Sequence, residues 1–303
     1  MGVIPEWLWM RRAVDLGKLS RPEAARSSRA PRVGVVVVRG SIVLGESFRG
    51  ETGEGRHAEF GLLDALAGVD LSGATLLTTL EPCSRRNHPK RPCAEHVIER
   101  GISTVFIGLY DPNPLIYREG WRLLRDAGVN LKDFAPELRS EIAADNADFL
   151  NIFKLAVADR GHAAFDYRQN DGRFEIKSDV GQFTTRWTPC GADSVYAYDS
   201  THHVAHARYA RSFEEIDDPG ALDFSTYTVP VSEGEIAIFR NAAGYVLVRI
   251  HKVYAGPSRG ADHTELQFEF EVRATGIAQA ESVSDTAPPD VLKRIDLDFF
   301  EDV

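Results

Sequence analysis

The chain has 303 residues, of which 43% are hydrophobic and 26% are charged, and this length is typical of two soluble domains. It contains three cysteines and no apolar run near the ~20 residues of a membrane helix, which argues against a disulfide-rich secreted protein and a membrane-spanning one. Residues 1–154 hold 21 basic and 20 acidic side chains, and the remainder holds 14 and 25. This acidic second half disfavours nucleic acid as a partner. We therefore expect a cytoplasmic protein without membrane association.

The first half alternates strand and helix signals. β-branched and apolar runs predict strands, and apolar residues at helical spacing, closed by glycines, predict helices. Strands are expected at Val33–Arg39, Ile42–Gly45, Thr75–Leu80 and Ser103–Leu109, and helices near 58–66, 94–99 and 121–127, with one long helix from Pro136 to Phe153. This alternation predicts a three-layer α/β domain over residues 1–158, with helices on both faces of a sheet.

The second half changes character. Short alternating segments predict strands, and residues 235–253 have the pattern of a hairpin that turns at Asn241–Gly244. Residues 155–164 are the expected junction, and residues 256–262 and 281–290 the expected loops. We therefore predict a mostly-β domain, a sandwich or a barrel, over residues 159–303.

Three segments carry candidate chemistry: His57-Ala58-Glu59, Glu81-Pro82-Cys83 and Pro92-Cys93. One imidazole and two thiolates are a ligand set for Zn²⁺ that leaves the fourth position open to water, as in catalytic zinc sites. Glu59 is placed to carry protons rather than to bind metal, and this pattern is typical of zinc deaminases. The alternative is a helix-capping histidine with two buried, inert cysteines.

The segment around the cysteines resembles the deaminase domain of the RibD-type riboflavin-biosynthesis family. That family is marked by Thr-Leu-Glu-Pro-Cys-Ser, a long loop that ends in Pro-Cys, and a later Asp-Pro-Asn-Pro; here these are residues 79–84, 85–93 and 111–114. The resemblance covers residues 8–155. It implies a cytidine-deaminase-like fold, zinc held by His57, Cys83 and Cys93, and Glu59 as the proton carrier.

The resemblance also implies that the long loop and the Asp-Pro-Asn-Pro turn help to bind substrate. We therefore single out Arg49, Arg85, Arg86, Lys90, Arg91, Asp111 and Asn113 as substrate-binding residues. The loop cations suit a phosphorylated substrate; the alternative is a solvated loop without a specific role. This chain departs from the family pattern, with nine residues rather than eight between the cysteines, Ala30 in place of a family asparagine, and Arg49 in place of a family histidine.

The second half is not recognised. Its opening resembles the start of the family's NADPH-dependent reductase only faintly, and no glycine-rich phosphate loop follows, so we expect no reductase. Two side-chain sets invite other interpretations. A second metal is suggested by three histidines and a cysteine, His202, His203, His206 and Cys190, although ordinary surface and core residues are the better interpretation. A ligand groove is suggested by five aromatic residues, Phe183, Trp187, Tyr196, Tyr198 and Tyr227, although the core of a β domain is the better interpretation.

The leading hypothesis is a zinc-dependent hydrolase that releases ammonia from an amino-substituted pyrimidine or related heterocycle. Two alternatives stay open: a deaminase that acts on a base in nucleic acid, and a non-catalytic deaminase-fold scaffold with a partner-binding β domain. The sequence also leaves open whether the chain forms a homo-oligomer.

Overall fold

A computed structural model of the chain describes residues 6–21, 30–86, 90–201 and 203–276. The chain divides into two compact units, of which the first extends to Ile152 and the second begins at Phe153. None of the described helices is long and apolar enough to cross a membrane.

The first unit is built on a five-stranded sheet with the order β2-β1-β3-β4-β5. Strand β1 is antiparallel to β2 and β3, whereas β3, β4 and β5 are mutually parallel. The strands are β1 Gly34–Arg39, β2 Ile42–Phe48, β3 Thr75–Leu80, β4 Thr104–Leu109 and β5 Asn130–Asp133; the helices are α1 Glu6–Gly17, α2 Ala58–Ala65, α3 Cys93–Glu99, α4 Glu119–Asp126, α5 Pro136–Asp145 and α6 Ala147–Ile152.

Helices cover both faces of this sheet, which confirms the predicted three-layer α/β domain. The valines of β1 can pack against both layers of helices, because successive strand residues point to opposite faces of the sheet. Val35 and Val37 pack with apolar residues of α2, α3 and α4, whereas Val36 and Val38 pack with those of α1 and α5. All four valines are buried, so the β-branched run forms the middle layer of two hydrophobic cores.

The prediction of one long helix from residue 136 was wrong, because α5 and α6 are separate and meet at Asn146. The Asn146 side chain accepts a hydrogen bond from the Arg32 backbone N–H (2.7 Å) and donates to the Ile142 carbonyl (3.0 Å). An asparagine that bonds to nearby backbone in this way competes with helical continuation.

The second unit is a β-sandwich, which is one of the two predicted architectures. Its sheets have the orders β10-β12-β13-β14-β6 and β11-β9-β8-β7, and all their strand pairs are antiparallel. The strands are β6 Ala156–Phe165, β7 Arg173–Ser178, β8 Gly181–Pro189, β9 Ser194–Tyr198, β10 Val204–His206, β11 Thr228–Ser232, β12 Ile236–Asn241, β13 Gly244–Ala255 and β14 Thr264–Ala274.

Aromatic side chains fill the space between the two sheets. Trp187 is fully buried, and its ring centroid lies 5.4 Å from that of Phe239 and 6.2 Å from that of Phe268. Phe183 belongs to the same core, whereas Tyr196 and Tyr227 are exposed. The predicted aromatic set is therefore divided between the core and the surface.

Two further expectations concern the connections of this unit. The predicted hairpin is confirmed, since β12 and β13 pair from Ile236 to the Asn241–Gly244 turn. Residues 155–164, expected as the junction, instead form most of β6, which pairs along β14 at the edge of the five-stranded sheet. The expected loop at 281–290 lies outside the described residues.

Candidate active site

Three elements bring the predicted zinc ligands together. His57 directly precedes α2, Cys83 follows the end of β3, and Cys93 is the first residue of α3. The His57 Nδ1 atom lies 3.6 Å from the Cys83 Sγ and 3.5 Å from the Cys93 Sγ. The nine-residue spacing between the cysteines is therefore compatible with one three-ligand cluster.

The thiols of Cys83 and Cys93 have opposite pKa shifts. A hydrogen bond from Cys93 holds the pKa of the Cys83 thiol well below its usual range, and the same bond raises the pKa of Cys93. The Cys93 backbone N–H also donates to the Cys83 Sγ at 3.3 Å. A divalent cation favours the deprotonated form of a thiol, so the cluster is suited to a metal that binds sulfur and nitrogen.

Glu59 lies in the first turn of α2 and is 4% exposed. Its Oε1 accepts a hydrogen bond of 2.8 Å from the hydroxyl of Thr78 on β3. Burial raises the pKa of Glu59 above its usual range, although this hydrogen bond opposes the shift. A carboxyl group with a raised pKa can both accept and return a proton near neutral pH.

Two further buried acids, Glu81 and Asp111, lie beside the cluster. Glu81 accepts hydrogen bonds from the backbone N–H groups of Trp121 (2.7 Å) and Asp111 (3.1 Å). Burial raises the pKa of Glu81 to about 8 and that of Asp111 to about 7. Sequence reasoning assigned no role to Glu81; its position two residues before a ligand, directly after a buried strand, was the available signal.

One pocket contains most of these groups. Its described lining residues are Pro31, Val33, Arg49, His57, Ala58, Glu59, Leu80, Glu81, Cys83 and Asp111. Of the predicted substrate-binding residues, the structure places Arg49 and Asp111 here, and Arg49 is only 6% exposed. Ala30, the position of the lost family asparagine, is not among these lining residues.

The remaining predicted substrate-binding residues do not line this pocket. Asn113 is buried in the turn that it shares with Asp111, whose carboxylate accepts its N–H, and Lys90 is exposed. Arg85 pairs with Glu119, Arg86 lies over the ring of Phe60, and Arg91 pairs with Glu99. A substrate role for these residues stays a prediction.

The histidines and cysteine singled out in the second half do not form a cluster among the described residues. The His206 Nε2 lies 3.2 Å from the Glu235 Oε2, and the His203 Nδ1 lies 3.0 Å from the Thr201 hydroxyl. Cys190 is half-buried, and His202 lies outside the described residues. In the described part of the chain, two groups of side chains could hold a metal ion. One is the His57 cluster, and the other contains none of His203, His206 and Cys190.

The fold and this cluster define a zinc-binding deaminase domain of the cytidine deaminase class. A family model described as "Cytidine and deoxycytidylate deaminase zinc-binding region" matches residues 7–109. A diaminohydroxyphosphoribosylamino-pyrimidine deaminase of Buchnera aphidicola (subsp. Schizaphis graminum) is 36% identical over 124 residues, which are 41% of this chain and 80% of that protein. The chain belongs to the RibD-type family of riboflavin-biosynthesis deaminases, which confirms the resemblance found in the sequence.

Longer relatives match over part of their length. The riboflavin biosynthesis protein RibD of Synechocystis is 38% identical over 132 residues, 43% of this chain, and the chain spans only 34% of that protein. A solved Thermotoga maritima deaminase/reductase is 34% identical with a TM-score of 0.42, over 48% of this chain and 40% of that one.

Proposed function

We propose that this chain hydrolyses the exocyclic C–N bond of an aminopyrimidine that carries a phosphoribosyl group, and so releases ammonia. The observation that supports this most directly is a pocket lined by His57 and Cys83 of the three-ligand cluster, by the buried carboxyl group of Glu59 and by the buried cation of Arg49. An open metal-ligand set, a proton carrier and an anion-binding group are what this reaction and this substrate need.

The donor set fits Zn²⁺, because two sulfurs and one imidazole nitrogen converge and no further cysteine or histidine lines the described part of the pocket. His57, Cys83 and Cys93 would hold the ion. When bound, zinc supplies acidity to a water molecule at neutral pH.

The proton steps belong to Glu59. Its carboxylate accepts a proton from the attacking water and passes it to the ring nitrogen as the C–O bond forms. It then takes the proton of the newly added hydroxyl and passes it to the departing amine, so that the C–N bond breaks as the ring carbonyl forms. The products are ammonia and a ring carbonyl. The hydroxyl of Thr78 keeps the Glu59 carboxylate oriented while it exchanges these protons.

Substrate recognition is proposed for Arg49. Its side chain is buried in the pocket, where a charge-assisted hydrogen bond to phosphate is stronger than at an exposed position. The Buchnera relative is a deaminase of a phosphoribosylated diaminopyrimidine, and a phosphate group on the substrate is consistent with a buried guanidinium in the pocket. Asp111 lies in the same pocket, where its raised pKa lets it donate a hydrogen bond to the heterocycle.

An ammonia-release assay tests the proposal. We expect zinc-loaded protein to deaminate diaminohydroxyphosphoribosylamino-pyrimidine, with much lower kcat/KM for the dephosphorylated compound and for cytidine. The Glu59→Gln variant is the control for contaminating deaminases. Equal activity on phosphorylated and dephosphorylated compounds would remove the phosphate part of the proposal, and no ammonia from any of them would remove the substrate class.

A further inference from the structure

Three neighbouring strands of the second unit place two histidines and a glutamate together. Glu269 on β14 is directly opposite His162 on β6 and opposite Arg249 on β13. Residues that are directly opposite in adjacent strands project from the same face of a sheet. His162 and Glu269 are therefore neighbours on the outer face of the five-stranded sheet.

A β-bulge adds His251 to this pair. Ile250 is opposite Phe268 and Lys252 is opposite Gln267, so His251 is an extra residue without a partner position on β14. His251 and Lys252 are consequently both exposed, where a regular strand would alternate between core and solvent. The bulge thus directs the imidazole of His251 towards Glu269.

The ligand atoms of the three side chains are close enough to share one ion. A ring nitrogen from each histidine and one carboxylate oxygen all lie within 4.8 Å of one another. The His251 Nε2 is 3.6 Å from the Glu269 Oε2, and the two imidazole centroids are 5.8 Å apart. The other oxygen of Glu269 lies 2.5 Å from the Arg249 Nε, which fixes the carboxylate as outer hydrogen bonds do for metal ligands.

We propose that His162, His251 and Glu269 form a second metal site, for Zn²⁺ or a similar divalent transition-metal ion. Two imidazoles and a carboxylate are a ligand set that suits such ions and leaves at least one coordination position open. A cleft lined by Arg160, Ser212 and Glu214 borders His162 and Glu269, so an open position has access to water or a small ligand. This site is independent of the proposed deaminase function.

Zinc titration of the full-length protein tests the proposal, with bound metal measured by calorimetry and elemental analysis. We expect two equivalents in the wild type. His162→Ala and His251→Ala should each retain one equivalent, and Cys83→Ser should lose the first equivalent and retain the second. His263→Ala is the matched control, since His263 is a comparably exposed histidine of the same unit that pairs with Asp262 instead.

The size of the effect separates a site from scattered surface binding. Loss of one ligand should weaken the second site by at least the ~10–100-fold that loss of an outer-sphere partner costs. In the Cys83→Ser background zinc should raise the Tm, because a ligand that binds only the folded state stabilises it, and Glu269→Gln should remove that shift. Glu269→Gln also serves if a histidine variant fails to fold.

Two results would overturn the proposal. One is a single zinc equivalent in wild-type protein that Cys83→Ser removes. The other is a second equivalent that survives His162→Ala and His251→Ala, or that His263→Ala removes equally well. Neither result depends on ammonia release, so failure of this site and failure of the deaminase proposal are distinguishable.

Discussion

Glu59 and Thr78 are joined by a buried hydrogen bond of 2.8 Å that links the first turn of α2 to strand β3. Thr78 is fully buried, and its hydroxyl donates to the carboxyl group that we propose as the proton carrier. A donor to a carboxylate favours the ionised form, so Thr78 opposes the rise in the pKa of Glu59 that burial causes. Thr78 is thus a positioning residue that also tunes acidity.

The Thr78→Val variant tests this relationship. Valine has a similar shape but no hydroxyl, so the pKa of Glu59 should rise further. Because the ionised carboxylate must accept the first proton, we expect the acidic limb of the kcat/KM profile to move to higher pH. The measurement is the pH dependence of ammonia release with zinc bound.

Thr79→Val is the matched control on the neighbouring residue. The Thr79 hydroxyl accepts a buried hydrogen bond from the Gly34 N–H at 3.0 Å, and an unpaired buried donor costs ~1–3 kcal/mol. This variant should therefore lose stability without moving the pH profile. The proposed role of Thr78 is wrong if both variants leave the profile unchanged, or if both move it equally.

Glu59→Gln should reduce kcat by about 10²–10⁴-fold, the usual contribution of a general acid–base group. Zinc content should stay at the wild-type level, because the three proposed ligands are His57, Cys83 and Cys93. Glutamine still accepts from Thr78 and preserves the side-chain shape. Elemental analysis beside steady-state kinetics checks both parts; a variant that lost the metal together with activity would indicate that Glu59 is a ligand.

Arg49→Met should raise the KM for the phosphorylated substrate more than Arg91→Met does. Arg49 is buried in the pocket, whereas Arg91 is exposed and already paired with Glu99. A charge-assisted contact is worth ~1.5–3 kcal/mol, which corresponds to roughly 10–150-fold in KM. The comparison is made with phosphorylated and dephosphorylated substrate; a larger effect of Arg91→Met would return the phosphate site to the loop between the cysteines.

The convergence of the three proposed zinc ligands could be predicted from sequence because each is positioned by the end of a strand or helix. The valine run of β1 and the hairpin at Asn241 follow local patterns in the same way. The contacts that were missed join distant segments: Asn146 interrupts a helix because it bonds to the Arg32 backbone, and Glu81 is held by backbone groups of Asp111 and Trp121. Such pairs depend on tertiary packing, which periodicity does not report.

NADPH should neither bind to the full-length chain nor be oxidised by it. The strands described between residues 153 and 276 all pair antiparallel, and no α-helix follows any of them to form the strand-to-helix turn that binds pyrophosphate. Calorimetry and absorbance of the reduced nicotinamide, with and without the deamination product, check this. Measurable binding would show that the second unit has a dinucleotide site of another kind.

Gly120→Ala should destabilise the first unit and impair the metal cluster. A Cβ at this position, in the first turn of α4, would lie 2.0 Å from the Pro82 carbonyl oxygen and 3.2 Å from the Glu81 Oε1. The helix and the Pro82 backbone must therefore separate, and Pro82 directly precedes Cys83. Overpacking of this kind costs ~1–3 kcal/mol or more in the free energy of unfolding, and the displaced Cys83 should lower zinc affinity and kcat together.

Gly68→Ala is the control, because a Cβ there meets nothing within 4 Å. We expect its stability to stay within ~0.5 kcal/mol of the wild type, with unchanged zinc content and turnover. Denaturant unfolding, elemental analysis and ammonia release on the two variants make the comparison. If Gly120→Ala matched Gly68→Ala in all three measurements, the close approach of α4 to Pro82 would not determine the position of Cys83.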